Sequence, residues 1–127
     1  MTLILVAGSE PAAGASTIAV GLAHRLAYSR HNVRLARLAG DDRAAADAAA
    51  FAMLEFADST GAPVDAALAD GAGAVTIIEA PAGADGAALA TRLGARLVVV
   101  GRAGATVPPG ATLIVNHART TEIGRAH

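Results

Sequence analysis

Thr2-Leu3-Ile4-Leu5-Val6-Ala7-Gly8-Ser9-Glu10-Pro11-Ala12-Ala13-Gly14-Ala15-Ser16-Thr17 is the stretch that decides the fold. Residues 2–7 form an unbroken apolar, β-rich run, which suits a strand buried on both faces. The run breaks at Gly8, and from Gly14 a helical pattern continues to about residue 29. Strand, glycine-bounded loop and a helix opening on Ser-Thr make the layout of a phosphate-binding loop. Such a loop turns backbone N–H groups and a helix N-terminus toward an anion, and its hydroxyl suits Mg²⁺.

The motif departs from a working phosphate loop in one residue. Gly-Lys-[Ser/Thr] is required; the chain has Gly14-Ala15-Ser16. All 10 basic residues are arginine, so no lysine from this chain or an identical partner replaces the missing one. The loop's shape points to nucleotide. Its chemistry points away from ordinary hydrolysis.

The 127 residues suffice for one domain with a real core. The chain is rich in alanine and holds 14 glycines, which favours close packing of helices on a sheet. A net charge of −1 and no long basic run make nucleic acid an unexpected partner. Without cysteine there is no disulfide or thiol chemistry. The first seven residues do not read as a signal peptide, and no apolar run approaches about 18 residues. A cytoplasmic protein without a membrane span is expected.

Outward from the loop, Ile18, Leu22 and Leu26 mark the buried stripe of the first helix, with Gly21 allowing close approach. Residues 33–38 read as a second strand whose loose alternation places it near a sheet edge. A helix is expected over 43–58, with Phe51, Leu54 and Met53 facing inward, and a short helix over 64–69. Residues 74–79, 96–100 and 111–115 read as strands, with a helix at 87–93 between the first two. Alternating apolar strands and helices predict an α/β fold: a parallel five-stranded sheet with helices on both faces. Ligands in such sheets bind at the carboxyl ends of strands. Gly8, Asp41, Glu79, Gly101 and Asn116 fall there.

Glu79 ends the third strand, where a carboxylate can hold Mg²⁺ directly or through water. Asn116 ends the fifth, where an amide can pair with an adenine edge. Each residue also has a bland reading. Ser16 and Thr17 suit any helix N-terminus, and Asp41, Asp42 and Asp47 suit any loop and helix start. Asn116 suits a turn. His24, His31, His117 and His127 lack metal-ligand spacing. The arginines read mostly as solvated, with Arg37 and Arg102 near strand ends and within reach of a phosphate.

These segments together resemble the dethiobiotin synthetase-like P-loop ATPases, and through them the Min/Par ATPases and cobyrinic acid diamide synthases. The resemblance rests on Leu3-Ile4-Leu5-Val6-Ala7-Gly8 with Gly14-Ala15-Ser16-Thr17, on Ala46-Asp47-Ala48, on Ile77-Ile78-Glu79-Ala80-Pro81-Ala82-Gly83 and on Leu113-Ile114-Val115-Asn116. It implies a P-loop NTPase-like fold in which Gly8, Gly14 and Ala15 border the phosphates. Thr17 would reach the α-phosphate, Ser16, Asp47 and Glu79 would hold Mg²⁺, and Asn116 would recognise adenine. The family commonly dimerises, so a homodimer is a further expectation. Two departures are Ala15 and the absence of the strand-helix segments that follow the fifth strand in the family; the sequence reads as one domain, with truncation at the C-terminus an open reading. The N-terminal domain of long phosphotransacetylases is similar in shape and in the lost lysine, and is regarded as regulatory.

The expectation is therefore a nucleotide- or phosphate-binding module with Mg²⁺ and little or no ATP hydrolysis, and with no residue assigned a catalytic role. One alternative is a ligase that activates a carboxylate with ATP, using Arg37, Arg102 or a partner's cation in place of the lysine. Another is an interaction scaffold with an empty loop.

Overall fold

The computed structural model describes residues 2–10, 13–29, 31–65 and 75–116. In chain order these form β1 (Thr2–Gly8), α1 (Ala15–Tyr28), β2 (Val33–Arg37), α2 (Ala44–Ala52), β3 (Val75–Glu79), α3 (Gly86–Leu93), β4 (Arg96–Gly101) and β5 (Thr112–Val115). The five strands make one sheet in the order β2-β3-β1-β4-β5, and every pairing is parallel. The expected α/β architecture is present.

Strand periodicity divides the core into two layers. Val6, Val33, Leu35, Val75, Ile77 and Val100 pack on one face with Ala19 and Ala23 of α1 and Phe51 of α2. Leu5, Ala7, Ile78, Leu97 and Val99 pack on the other with Ala90 of α3. Helices thus cover both faces, and β3, an interior strand between β2 and β1, is buried along its whole length. The chain leaves β1 and β3 toward opposite faces of the sheet. That leaves a crevice beyond their carboxyl ends, where ligands bind in folds of this kind.

Four local expectations are corrected. The stripe of α1 centres on Ala19 and Ala23, while Ile18, Leu22 and Leu26 flank it half-buried. Alanine there lets the helix lie close to the sheet. Gly21 is exposed, with nothing near the position of a Cβ, so close approach is not its reason. The second helix ends at Ala52 rather than near 58, and Met53 is 82% exposed.

The chain beyond α2 has another task. Asp58 N–H donates to Val33 O (2.9 Å), and Leu35 N–H donates to Asp58 O (2.8 Å). Val64 N–H likewise donates to Arg37 O (2.9 Å), and Ala39 N–H to Val64 O (2.9 Å). These bridges satisfy backbone groups on the outer edge of β2, which helix would leave unpaired. Val64 therefore lies in a parallel bridge with Leu38, not at the start of a helix, and the remainder of the expected 64–69 helix lies outside the described residues from 66 onward. No helix among the described residues is long and apolar enough to cross a membrane.

Candidate functional site

Strand register builds the site. Arg37 and Glu79 are direct register partners at the ends of β2 and β3, and Val6 of β1 is the partner of Glu79 on its other side. Counting by two from Val33 and Leu35 puts Arg37 on the face covered by α1 and α2; the same count from Val75 and Ile77 puts Glu79 there. α1 begins above them with Ala15, Ser16 and Thr17, and α2 brings in Asp47. The result is a cavity of about 320 Å³ lined by residues that include Gly8, Gly14, Ala15, Ser16, Thr17, Asp47 and Glu79. Seven of the eight sequence-predicted positions meet in this one space.

Ser16 is its focus. The hydroxyl lies 2.7 and 2.8 Å from the two Glu79 carboxylate oxygens and 3.3 Å from Asp47 Oδ2. One hydroxyl proton serves one acceptor at a time. Burial pushes the Glu79 carboxyl above the usual carboxylate range, with the Ser16 hydrogen bond and Arg37 opposing.

Arg37 is 3% exposed and fully engaged. Its guanidinium donates to Leu38 O (2.6 Å), to both Asp41 oxygens (2.8 and 2.7 Å) and to Asp47 Oδ2 (3.2 Å), and its Nε is 3.5 Å from Glu79 Oε1. Burial alone would lower its pKa. The Asp41 hydrogen bond and the Glu79 charge win, and the group is held above its ordinary value. Arg37 is thus neither solvated nor available as a spare cation. Strand alternation from Val33 was the signal that would have placed it.

Asp41 ties two loops together. Beyond Arg37 it accepts the backbone N–H of Arg43 (3.0 Å) and of Ala82 (2.7 Å). Burial alone would raise its pKa; the Ala82 and Arg43 N–H groups with Arg37 hold it below the ordinary value. Asp41 therefore fixes the loop after β3 against the start of α2.

Asn116 is the eighth position, and the structure gives it different company. Its Nδ2 donates to Ala13 O (2.8 Å), and its backbone N–H donates to Gly101 O (3.1 Å). Gly14 has φ +94°, and a Cβ there would fall directly on Asn116 Nδ2. The side chain braces the loop before α1 from the β5 side. Arg102, the other arginine at a strand end, pairs with Glu10 (3.0 Å) beside a separate cavity lined by Ser9 and 103–106. His24 packs edge-on against Phe56, a structural contact; His117 and His127 lie outside the described residues.

The donors around Ser16 are all oxygens: one hydroxyl and two carboxylates, a hard set that suits Mg²⁺. Among the described residues no group of three His, Cys, Asp or Glu side chains is placed to hold a metal unaided. A bound ion would draw its remaining ligands from water and phosphate, the ordinary arrangement for Mg²⁺.

Compared with known proteins, no family model, no curated protein and no solved structure matches the chain.

Proposed function

We propose that the chain is a degenerate phosphate-loop domain, resembling the dethiobiotin synthetase-like ATPases, that binds a nucleotide or similar phosphate-bearing ligand with Mg²⁺. It turns ATP over slowly or not at all and works as a sensing or regulatory module in the cytoplasm, with a homodimer as its expected assembly. The observation that carries this reading is Ser16. Its hydroxyl stands at the start of α1, within 2.8 Å of the strand-end carboxylate Glu79, directly after Gly14 and Ala15.

Gly14 and the first turn of α1 would receive the phosphate on backbone N–H groups. Ser16, Asp47 and Glu79 would hold Mg²⁺, which supplies charge neutralisation of the phosphates. Ala15 supplies no positive charge toward the transition state, where electrostatic stabilisation carries most of phosphoryl transfer. Arg37 is committed to three carboxylates, and Arg102 pairs with Glu10 at the surface beside a separate cavity. The commitment of Arg37 removes it as the substitute cation that the carboxylate-activating ligase would use.

Calorimetric titration of the purified protein with ATP, ADP and GTP, with and without Mg²⁺, tests the proposal. Micromolar binding strengthened by Mg²⁺ is expected. Mg²⁺-dependent turnover abolished in Glu79→Ala would overturn the regulatory part. Absence of binding up to millimolar nucleotide would favour an interaction scaffold. One observation supports that second reading: Ser16, Asp47, Glu79 and Arg37 hydrogen-bond and pair with one another.

A further inference from the structure

The cavity beside the phosphate loop has a charge problem. Glu10, Asp41, Asp47 and Glu79 contribute four carboxylates to its lining; the buried Arg37 guanidinium is shared among the last three, and Glu10 pairs with Arg102. A phosphate entering this space meets excess negative charge, and Ala15 offers nothing against it. Among the described residues, one other basic side chain lines the cavity: Arg43.

Arg43 differs from Arg37 in every respect that matters for a ligand contact. Its side chain is 78% exposed, and its ion contact is long, with Nη2 4.0 Å from Asp47 Oδ1. Little is lost when so exposed a pair separates. Its backbone is held firmly by contrast, since Asp41 accepts its N–H at 3.0 Å just before α2 begins. A fixed base with a loosely held guanidinium at a cavity mouth is the arrangement of a clamp. The planar fork matches a phosphate bidentately.

We propose that Arg43 supplies the positive charge that the loop lacks, moving from Asp47 onto the phosphates of a bound polyphosphate ester. This rests on the nucleotide-binding reading above and deepens it. The clamp approaches from the start of α2, a different element from α1, where a loop lysine would stand. It senses charge and so distinguishes ligands by phosphate number. When Arg43 leaves Asp47, the Oδ1 that it had faced is open to Mg²⁺, while Oδ2 stays with Arg37 and Ser16.

The test is calorimetry on the full chain with ATP, ADP, AMP and adenosine in Mg²⁺, comparing wild type with Arg43→Ala, Arg43→Lys and, as a control, Arg102→Ala. Arg43→Ala is expected to weaken ATP by about 10–150-fold, the loss of one charge-assisted contact. The effect should shrink from ATP through ADP to AMP and vanish for adenosine. Arg43→Lys should restore part of the affinity, and Arg102→Ala should change little. The melting temperature of ligand-free Arg43→Ala should match wild type, which separates a ligand contact from a structural one. If wild type binds ATP and Arg43→Ala binds it equally well, or loses ATP and adenosine alike, the clamp is overturned while the nucleotide-binding reading stands. If wild type binds no nucleotide, both fall together.

Discussion

Asn116 Nδ2 occupies the space that a side chain on Gly14 would need, and from there it donates to the carbonyl of Ala13 at 2.8 Å. One amide therefore holds the loop before α1 across 103 residues of sequence. Gly14 is doubly constrained, by its φ of +94° and by this neighbour.

Gly14→Ala should destabilise by about 1–3 kcal/mol, combining left-handed strain with displacement of Asn116. The cost should fall in an Asn116→Ala background, where the strain remains but the collision does not. A double-mutant cycle by urea denaturation reads that coupling directly. Additive costs would mean that the two residues do not share space. Gly21→Ala is the control: an exposed position inside α1 with nothing near its Cβ, where alanine should stabilise by roughly 0.5–1 kcal/mol.

Arg37→Ala should be among the most damaging substitutions in the chain. It would leave Asp41, Asp47 and Glu79 without their shared cation in a largely buried space. Breaking a buried pair from one side costs about 3–5 kcal/mol. The deficit should narrow as the pH falls and the carboxylates take up protons. Arg37→Lys should recover only part of it, because an ammonium lacks the fork that spans three carboxylates and the Leu38 carbonyl. Urea midpoints at neutral and acid pH check both points. A deficit independent of pH would point to lost packing instead.

Asp41 and Glu79 should respond to acid in opposite directions. The folded state holds Asp41 below its ordinary pKa, so its stabilisation is complete above that ordinary value, about 3.9, and is lost as pH falls through the folded value. Asp41→Asn should lower stability at neutral pH and converge with wild type in acid. Burial holds Glu79 above its ordinary pKa, so its ionised form costs stability at pH values above the folded one, and the cost disappears on acidification. Glu79→Gln should melt higher than wild type at pH 7 in EDTA and converge below pH ~4. Melting curves across pH 3–8 test both. A Glu79→Gln variant less stable at pH 7 would show that the Arg37 and Ser16 contacts outweigh desolvation.

The sheet was legible because its strands are apolar runs and its loops are punctuated by glycine and proline. The gathering of Ser16, Asp47 and Glu79 followed from strand ends sharing one side of a parallel sheet. What escaped was the partner of each group. Arg37 reads as lying near a strand end and within reach of a phosphate, but the alternation of its strand serves there only to place a sheet edge; 33, 35 and 37 share a face, which turns Arg37 inward to Asp41, Asp47 and Glu79. The early end of α2 at Ala52 was hidden by a helix-prone alanine run. It is decided instead by the unpaired edge of β2, which claims Asp58 and Val64 from outside the helix. Asn116 was placed correctly at a strand end, but no local pattern could reveal that the loop it braces lies across the sheet. Arg43 drew no notice because nothing in its sequence neighbours marks the cavity that α2 borders.

Ala15→Lys asks the cavity to declare what it is for. Ala15 is the first residue of α1, partly buried, and lines the space between Gly14 and Ser16. A lysine there places an ammonium on the side where the motif expects it and adds a charge against the excess of carboxylates. If the loop still cradles phosphate, MgATP affinity should rise by about 10–150-fold, the gain of one charge-assisted contact, while adenosine affinity stays unchanged. The gain should survive in Arg43→Ala, since the two cations approach from different elements. A variant that folds, melts like wild type and binds ATP no better would mean that the backbone of the loop no longer receives an anion. Ser16, Asp47, Glu79 and Arg37 would then be a structural network, and the scaffold reading would take the place of the nucleotide-binding one.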